Sequence, residues 1–129
     1  MSKKIMILIF TIFMVACSNR NVQNNFSENQ LENLNNFTQA IKENLSVNNY
    51  EYLRNNTDKS IRNNKILEEI EKINFIGLSL FMSKIKIREN TPFSILGINI
   101  GEDTFYFELM YNYDYHSKKW LIYKVNERR

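Results

Sequence analysis

The chain has 129 residues, enough for one modest core and too few for two comfortable domains. Nine Phe, seven Tyr and one Trp, most of them beyond Asn74, exclude a disordered chain, which lacks the apolar surface that offsets ordering entropy. The formal charge of +3 rests partly on Lys3 and Lys4; the remainder is nearly neutral, has no basic stripe, and is not expected to bind nucleic acid.

Ser2-Lys3-Lys4 is a short basic start, and residues 5–16 form an apolar run broken only by Thr11. Charge followed by an apolar run is the layout of a secretory signal. As a helix the run reaches roughly 18 Å, short of the 30 Å of a hydrocarbon core, so a permanent membrane span is not expected. It ends in Met14-Val15-Ala16-Cys17, which resembles the lipobox of bacterial lipoproteins, with Met14 where Leu is usual. The resemblance implies that a signal peptidase recognises Met14, Val15 and Ala16 and cuts before Cys17. It also implies a diacylglyceryl group on the Cys17 thiol, and acyl chains in that number anchor stably. Cys17 is the one cysteine, which excludes an intramolecular disulfide. The expected organisation is a signal peptide over 1–16, a lipidated Cys and polar tether over 17–27, and a single domain over 28–129.

From residue 28, Leu31, Leu34, Phe37, Ile41 and Leu45 recur at helical spacing, and Ser27 with Gln30 has the spacing of a capping box. Val47, Tyr50 and Leu53 mark a second, short amphipathic segment, which Asn55-Asn56-Thr57-Asp58 breaks. A third helix opens near Asp58 or Ser60, with Ile61, Ile66, Leu67, Ile70 and Ile73 inward and a Glu68–Lys72 pair in solvent.

The period then changes to two. Residues 75–88 read as a strand in preference to a continued helix, with a flip of parity near Ser83 that predicts a bulge. Asn90-Thr91-Pro92 is a turn, 93–100 a second strand, and Gly101-Glu102-Asp103 a hairpin connection. Residues 104–115 alternate most clearly. Phe105, Phe107, Leu109, Tyr111, Tyr113 and Tyr115 share one face, and Tyr106, Glu108, Met110, Asn112 and Asp114 share the other. His116-Ser117-Lys118 turns the chain into a last strand over 119–126. The predicted class is α+β: N-terminal helices packed on a curved antiparallel β-sheet, a meander, after a cleaved signal peptide.

Two passages carry a further likeness. One is Phe37-Thr38-Gln39-Ala40-Ile41 running on to Asn49-Tyr50-Glu51-Tyr52-Leu53. The other is Tyr111-Asn112-Tyr113 with Lys119-Trp120-Leu121-Ile122-Tyr123-Lys124-Val125. Together they are similar to the opening helices and closing hairpin of the nuclear transport factor two-like (cystatin-like) superfamily, in particular its small bacterial lipoproteins. The resemblance implies a helix-backed sheet over nearly all of the domain and carries over no catalytic residue, since the acidic and histidine groups of family enzymes have no match here.

No cluster reads as catalytic, metal-binding or cofactor-binding. His116 is the one histidine and falls in a turn, and Glu102-Asp103 is a polar turn. The possible binding surface is Tyr106, Glu108, Tyr111 and Tyr113, since Tyr is favoured at interfaces, although Tyr111 and Tyr113 equally suit a core. The leading expectation is a non-enzymatic lipoprotein of the cell envelope, facing away from the cytoplasm, that binds an envelope protein, a peptide or a small apolar ligand. The alternative is a cavity enzyme of the same superfamily using a buried carboxylate such as Glu108.

Overall fold

The computed structural model describes residues 26–128. The expected signal peptide, with Met14, Val15 and Ala16, and the expected lipidation site Cys17 lie outside the described residues. Three helices precede an open antiparallel sheet: α1 (Glu28–Ser46), α2 (Tyr50–Asn55), α3 (Ile61–Glu71), then β1 (Ser79–Met82), β2 (Lys86–Arg88), β3 (Thr91–Ile100), β4 (Asp103–Asp114) and β5 (Lys119–Arg128). None of the described helices is long and apolar enough to cross a membrane.

The capping box forms as the spacing predicts. Gln30 N donates to Ser27 Oγ at 3.1 Å, and Ser27 N donates to Gln30 Oε1 at 2.9 Å. Leu34, Thr38, Ile41 and Leu45 are the buried stripe of α1, while Phe37 is half-buried beside them. The helix ends in a Schellman motif on Asn48, which lies in the left-handed region at φ 61°. Asn48 N donates to Leu45 O at 3.0 Å and Asn49 N to Asn44 O at 2.8 Å. The Asn48 side chain reaches the loop after α3, accepting from Phe75 N at 2.8 Å and donating to Asn74 Oδ1.

On α3 the inward stripe is Asn63, Leu67 and Ile70. Ile61, expected inward, is 86% exposed: it is the first residue after the Ser60 N-cap and lies about 200° around the helix from Asn63, which faces the sheet. The ion pair of this helix is Lys72–Glu69 at 3.1 Å in place of Glu68–Lys72, and a second pair, Arg54–Glu71 at 2.7 Å, joins α2 to α3.

The sheet runs β1/β2–β3–β4–β5, with β1 and β2 as one interrupted strand along β3. Residues 75–78 are a turn, so the first strand begins at Ser79, later than the alternation predicts. The parity flip is present: Met82 pairs with Leu96 but Lys86 with Phe93, one residue out of step. Ser83 manages the break, donating its N–H to Ile95 O at 2.9 Å while its Oγ accepts from Ile95 N at 2.8 Å. Leu80 and Met82 before the bulge, and Ile85 after it, therefore all reach the core. Glu89 and Asn90, both at positive φ, turn β2 into β3, and Gly101 at φ 64° opens the two-residue turn into β4.

A second bulge sits in β5, where Met110 pairs with Lys124 but Tyr111 with Ile122. Its outer edge is met from the helical layer. Asp58 N donates to Ile122 O at 2.7 Å, Ile122 N donates to Asn56 O at 2.8 Å, and Thr57 makes a parallel bridge to Ile122. Asn63, 1% exposed, supplies the rest: its Nδ2 donates to Tyr123 O at 3.0 Å and its Oδ1 accepts from Val125 N at 3.1 Å.

The core lies between the helices and one face of the sheet, with Leu34, Ile41, Leu67 and Ile70 against Leu96, Ile98, Leu109, Ile122 and Val125. Tyr111 is the largest fully buried side chain there; its hydroxyl is 2.6 Å from Ser94 Oγ, which donates to Met82 Sδ. Among the described residues no buried side-chain nitrogen or oxygen lacks a partner.

Candidate functional site

The register of β4 divides the four candidate residues between two faces. Tyr111 and Tyr113 look toward the helices, Tyr106 and Glu108 away from them. Tyr111, at 1% exposure, supplies no surface, and burial pushes its phenol well above the usual value. Tyr113 is half-buried at the lip of a cleft.

That cleft, about 410 Å³, opens between α1, the α2–α3 connection and the tip of the β4–β5 hairpin. Its walls hold four rings, Phe37, Tyr52, Tyr113 and Trp120. They are positioned by ring contacts: Tyr113 edge-on to Trp120 at 5.2 Å between centroids, Phe37 tilted against Tyr52 at 6.3 Å, and Phe37 edge-on to the buried Tyr111 at 5.9 Å. Trp120 is fixed further by donating Nε1–H to Gln30 O at 2.8 Å and by Phe26, whose ring lies 5.0 Å away. Phe26, read from sequence as part of the tether, is thus packed against the domain. Asn33, Asn36, Asn56, Lys118 and Lys119 complete the lining. Burial raises the Tyr52 phenol, so it stays a neutral donor and acceptor.

Among the described residues no carboxylate, imidazole or thiol lines this cleft. His116 is exposed at the hairpin tip, where its backbone N–H donates to Asp114 Oδ1 at 3.0 Å. The Ser117 hydroxyl, and after it the His116 N–H, hold the Asp114 carboxyl below the usual carboxylate range. Among the described residues no group of three His, Cys, Asp or Glu side chains is placed to hold a metal ion.

The opposite face of the sheet is organised in rows, because residues paired across strands share a side. Phe81, Gly97, Tyr106 and Arg128 form one row. Ser83, Ile95, Glu108 and Asn126 form the next, and Lys86, Phe93, Met110 and Lys124 the third. Glu108 is 8% exposed and engaged by the Arg88 guanidinium, which itself lies 4.6 Å from the centroid of Phe93. It stands outside the layer between helices and sheet, so it is no cavity carboxylate. Tyr106 lies over Gly97, where a Cβ would approach its ring to 3.4 Å, and a surface cleft of about 460 Å³ runs beside it, lined by Phe81, Lys86, Ile95 and Arg128.

The ring-lined cleft is not evident from sequence because it joins three separate segments, around residues 33–40, 52–56 and 113–120. Only Tyr113 among the sequence candidates belongs to it. Arg88 gave a fainter signal: it shares the parity of Lys86, and that face also carries Glu108. Searches against protein-family models, curated proteins and solved structures found no match to this chain.

Proposed function

We propose that this protein is a membrane-tethered bacterial lipoprotein, anchored through Cys17, whose α+β domain binds a ligand without chemically changing it. One observation carries the binding reading: a cleft of about 410 Å³ brings four aromatic rings together with three asparagines and two lysines, and among the described residues no acid, histidine or cysteine lines it. General acid–base and nucleophilic catalysis draw most often on His, Asp, Glu and Cys, none of which lines this cleft among the described residues. Rings and carboxamides instead give flat apolar area and neutral hydrogen bonds, and the two cations favour a ligand that is neutral or anionic over one that is cationic. Among the classes expected from sequence, a peptide or small ligand with a flat apolar portion fits this lining.

The order of elements supports the superfamily likeness, helices first and an antiparallel sheet after. The Thr57–Ile122 bridge stands between the second and third helices, where many members of that superfamily have a strand.

Trp120 is the one tryptophan of the chain and lines the cleft, so its emission reports occupancy. Titration with fractionated envelope peptides and small molecules is expected to shift that emission, and Tyr113→Ala with Lys119→Gln is expected to abolish the shift while the fold persists. A ligand bound equally well by this variant would remove the cleft from the account.

A further inference from the structure

The face of the sheet turned away from the helices combines exposed rings with cations along both edges. Phe81 is 56% and Tyr106 45% exposed, although each belongs to a strand whose alternate residues enter the core. Lys86 stands at the β2 edge, and Lys124 and Arg128 at the β5 edge. Within the three rows the acidic side chain is Glu108, and Arg88 occupies it. The remaining charged side chains of these three rows are therefore all cations, and Asp114, of the same parity, lies beyond them at the β4–β5 hairpin.

We infer that this face docks on the surface of an anionic phospholipid bilayer. The inference rests on the Cys17 anchor for its biological setting, but the chemistry is that of the face alone. Aromatic rings settle at headgroup depth, and cations beside them are drawn to an anionic leaflet within a Debye length. The stretch from Cys17 to Phe26 reaches at most roughly 30 Å when fully extended, so a tethered domain stays within one domain diameter of the headgroups. A second copy of the chain fits the face less well. A two-fold pairing would set Lys86, Lys124 and Arg128 against cations of the same patch.

The test uses residues 18–129, which hold every described residue and carry no lipid, in flotation with vesicles. One set is phosphatidylcholine alone, and the other is phosphatidylcholine mixed with phosphatidylglycerol. Binding to the mixed vesicles only, weakening as salt rises, is expected. Lys86→Gln with Arg128→Gln is expected to weaken it about 25-fold, at roughly fivefold for each cation. Phe81→Ser is expected to weaken binding while leaving its salt dependence in place. Lys59→Gln with Lys65→Gln, exposed charges on the helical side, is the matched control and is expected to bind as the parent does. All these positions are exposed, so circular dichroism should report an unchanged fold. Several outcomes overturn the inference: no binding to mixed vesicles, equal loss in both charge pairs, or sedimentation showing that Phe81→Ser dissolves a dimer. Binding of soluble polyphosphate that ignores Phe81→Ser, without vesicle binding, also overturns it. Failure of the anchor would appear separately, as absent acylation of Cys17, and would not touch this assay.

Discussion

Asn63 on α3 accepts a hydrogen bond from the backbone N–H of Val125 at 3.1 Å, a side chain completing the edge of a sheet formed some 60 residues later. The same carboxamide donates to the carbonyls of Tyr123 and Asp58, so its donors and acceptor are all used. Asn63→Leu is predicted to cost about 2 kcal/mol, because it leaves the buried Val125 N–H and two part-buried carbonyls short of a partner. Urea unfolding checks this, with the midpoint falling while the slope is kept.

Tyr111 makes stability depend on alkaline pH. Its phenol is raised above the usual value by burial, so the unfolded chain loses that proton first, near pH 10, while the native state holds it. The raised group contributes stability that is fully present below the unfolded value and falls as pH climbs past it. Tyr111→Phe is predicted to cost about 1 kcal/mol at pH 7, through the lost bond to Ser94, and to flatten the decline above pH 10. Unfolding curves on either side of pH 10 for both proteins measure the difference.

Asn48 does two things at once, and two substitutions separate them. Asn48→Gly keeps the left-handed backbone but loses the bond to Phe75 N, for about 1 kcal/mol; Asn48→Ala loses the bond and strains the backbone, for about twice that. Equal midpoints for the two variants in thermal unfolding would mean that the left-handed conformation carries no cost here.

Arg88 and Glu108 are predicted to be coupled. Removing the cation in Arg88→Met leaves a nearly buried carboxylate alone, so it should destabilise more than Arg88→Met combined with Glu108→Gln. Arg88 is half exposed, which holds the coupling to about 1 kcal/mol. A double-mutant cycle in urea gives the number.

Much of this fold is legible locally. The capping box at Ser27 and Gln30, the stripe of α1, the turn at Gly101 and the parity flip at Ser83 each depend on residues within a few positions of one another. What hydropathy does not show is decided by distant partners. Asn63 is polar and reads as solvent-facing, yet the unpaired groups of bulged β5 draw it inward. Ile61 is apolar and reads as core, yet it lies across the helix from the inward stripe of Asn63 and Ile70. The alternation of β4 separates Tyr106 and Glu108 from Tyr111 and Tyr113, but not which face the helices cover at each end. Phe105 and Tyr115, of core parity, are exposed near the two ends of β4.

The central claim is a tethered binding domain, and acylation of Cys17 tests the tether most directly. Cells fed a fatty-acid analogue are compared for the parent protein and Cys17→Ser, by membrane fractionation and intact mass. The tether predicts a labelled, membrane-bound parent whose chain begins at Cys17, and an unlabelled variant. A parent cleaved at that position without label would contradict it, leaving the domain without its anchor.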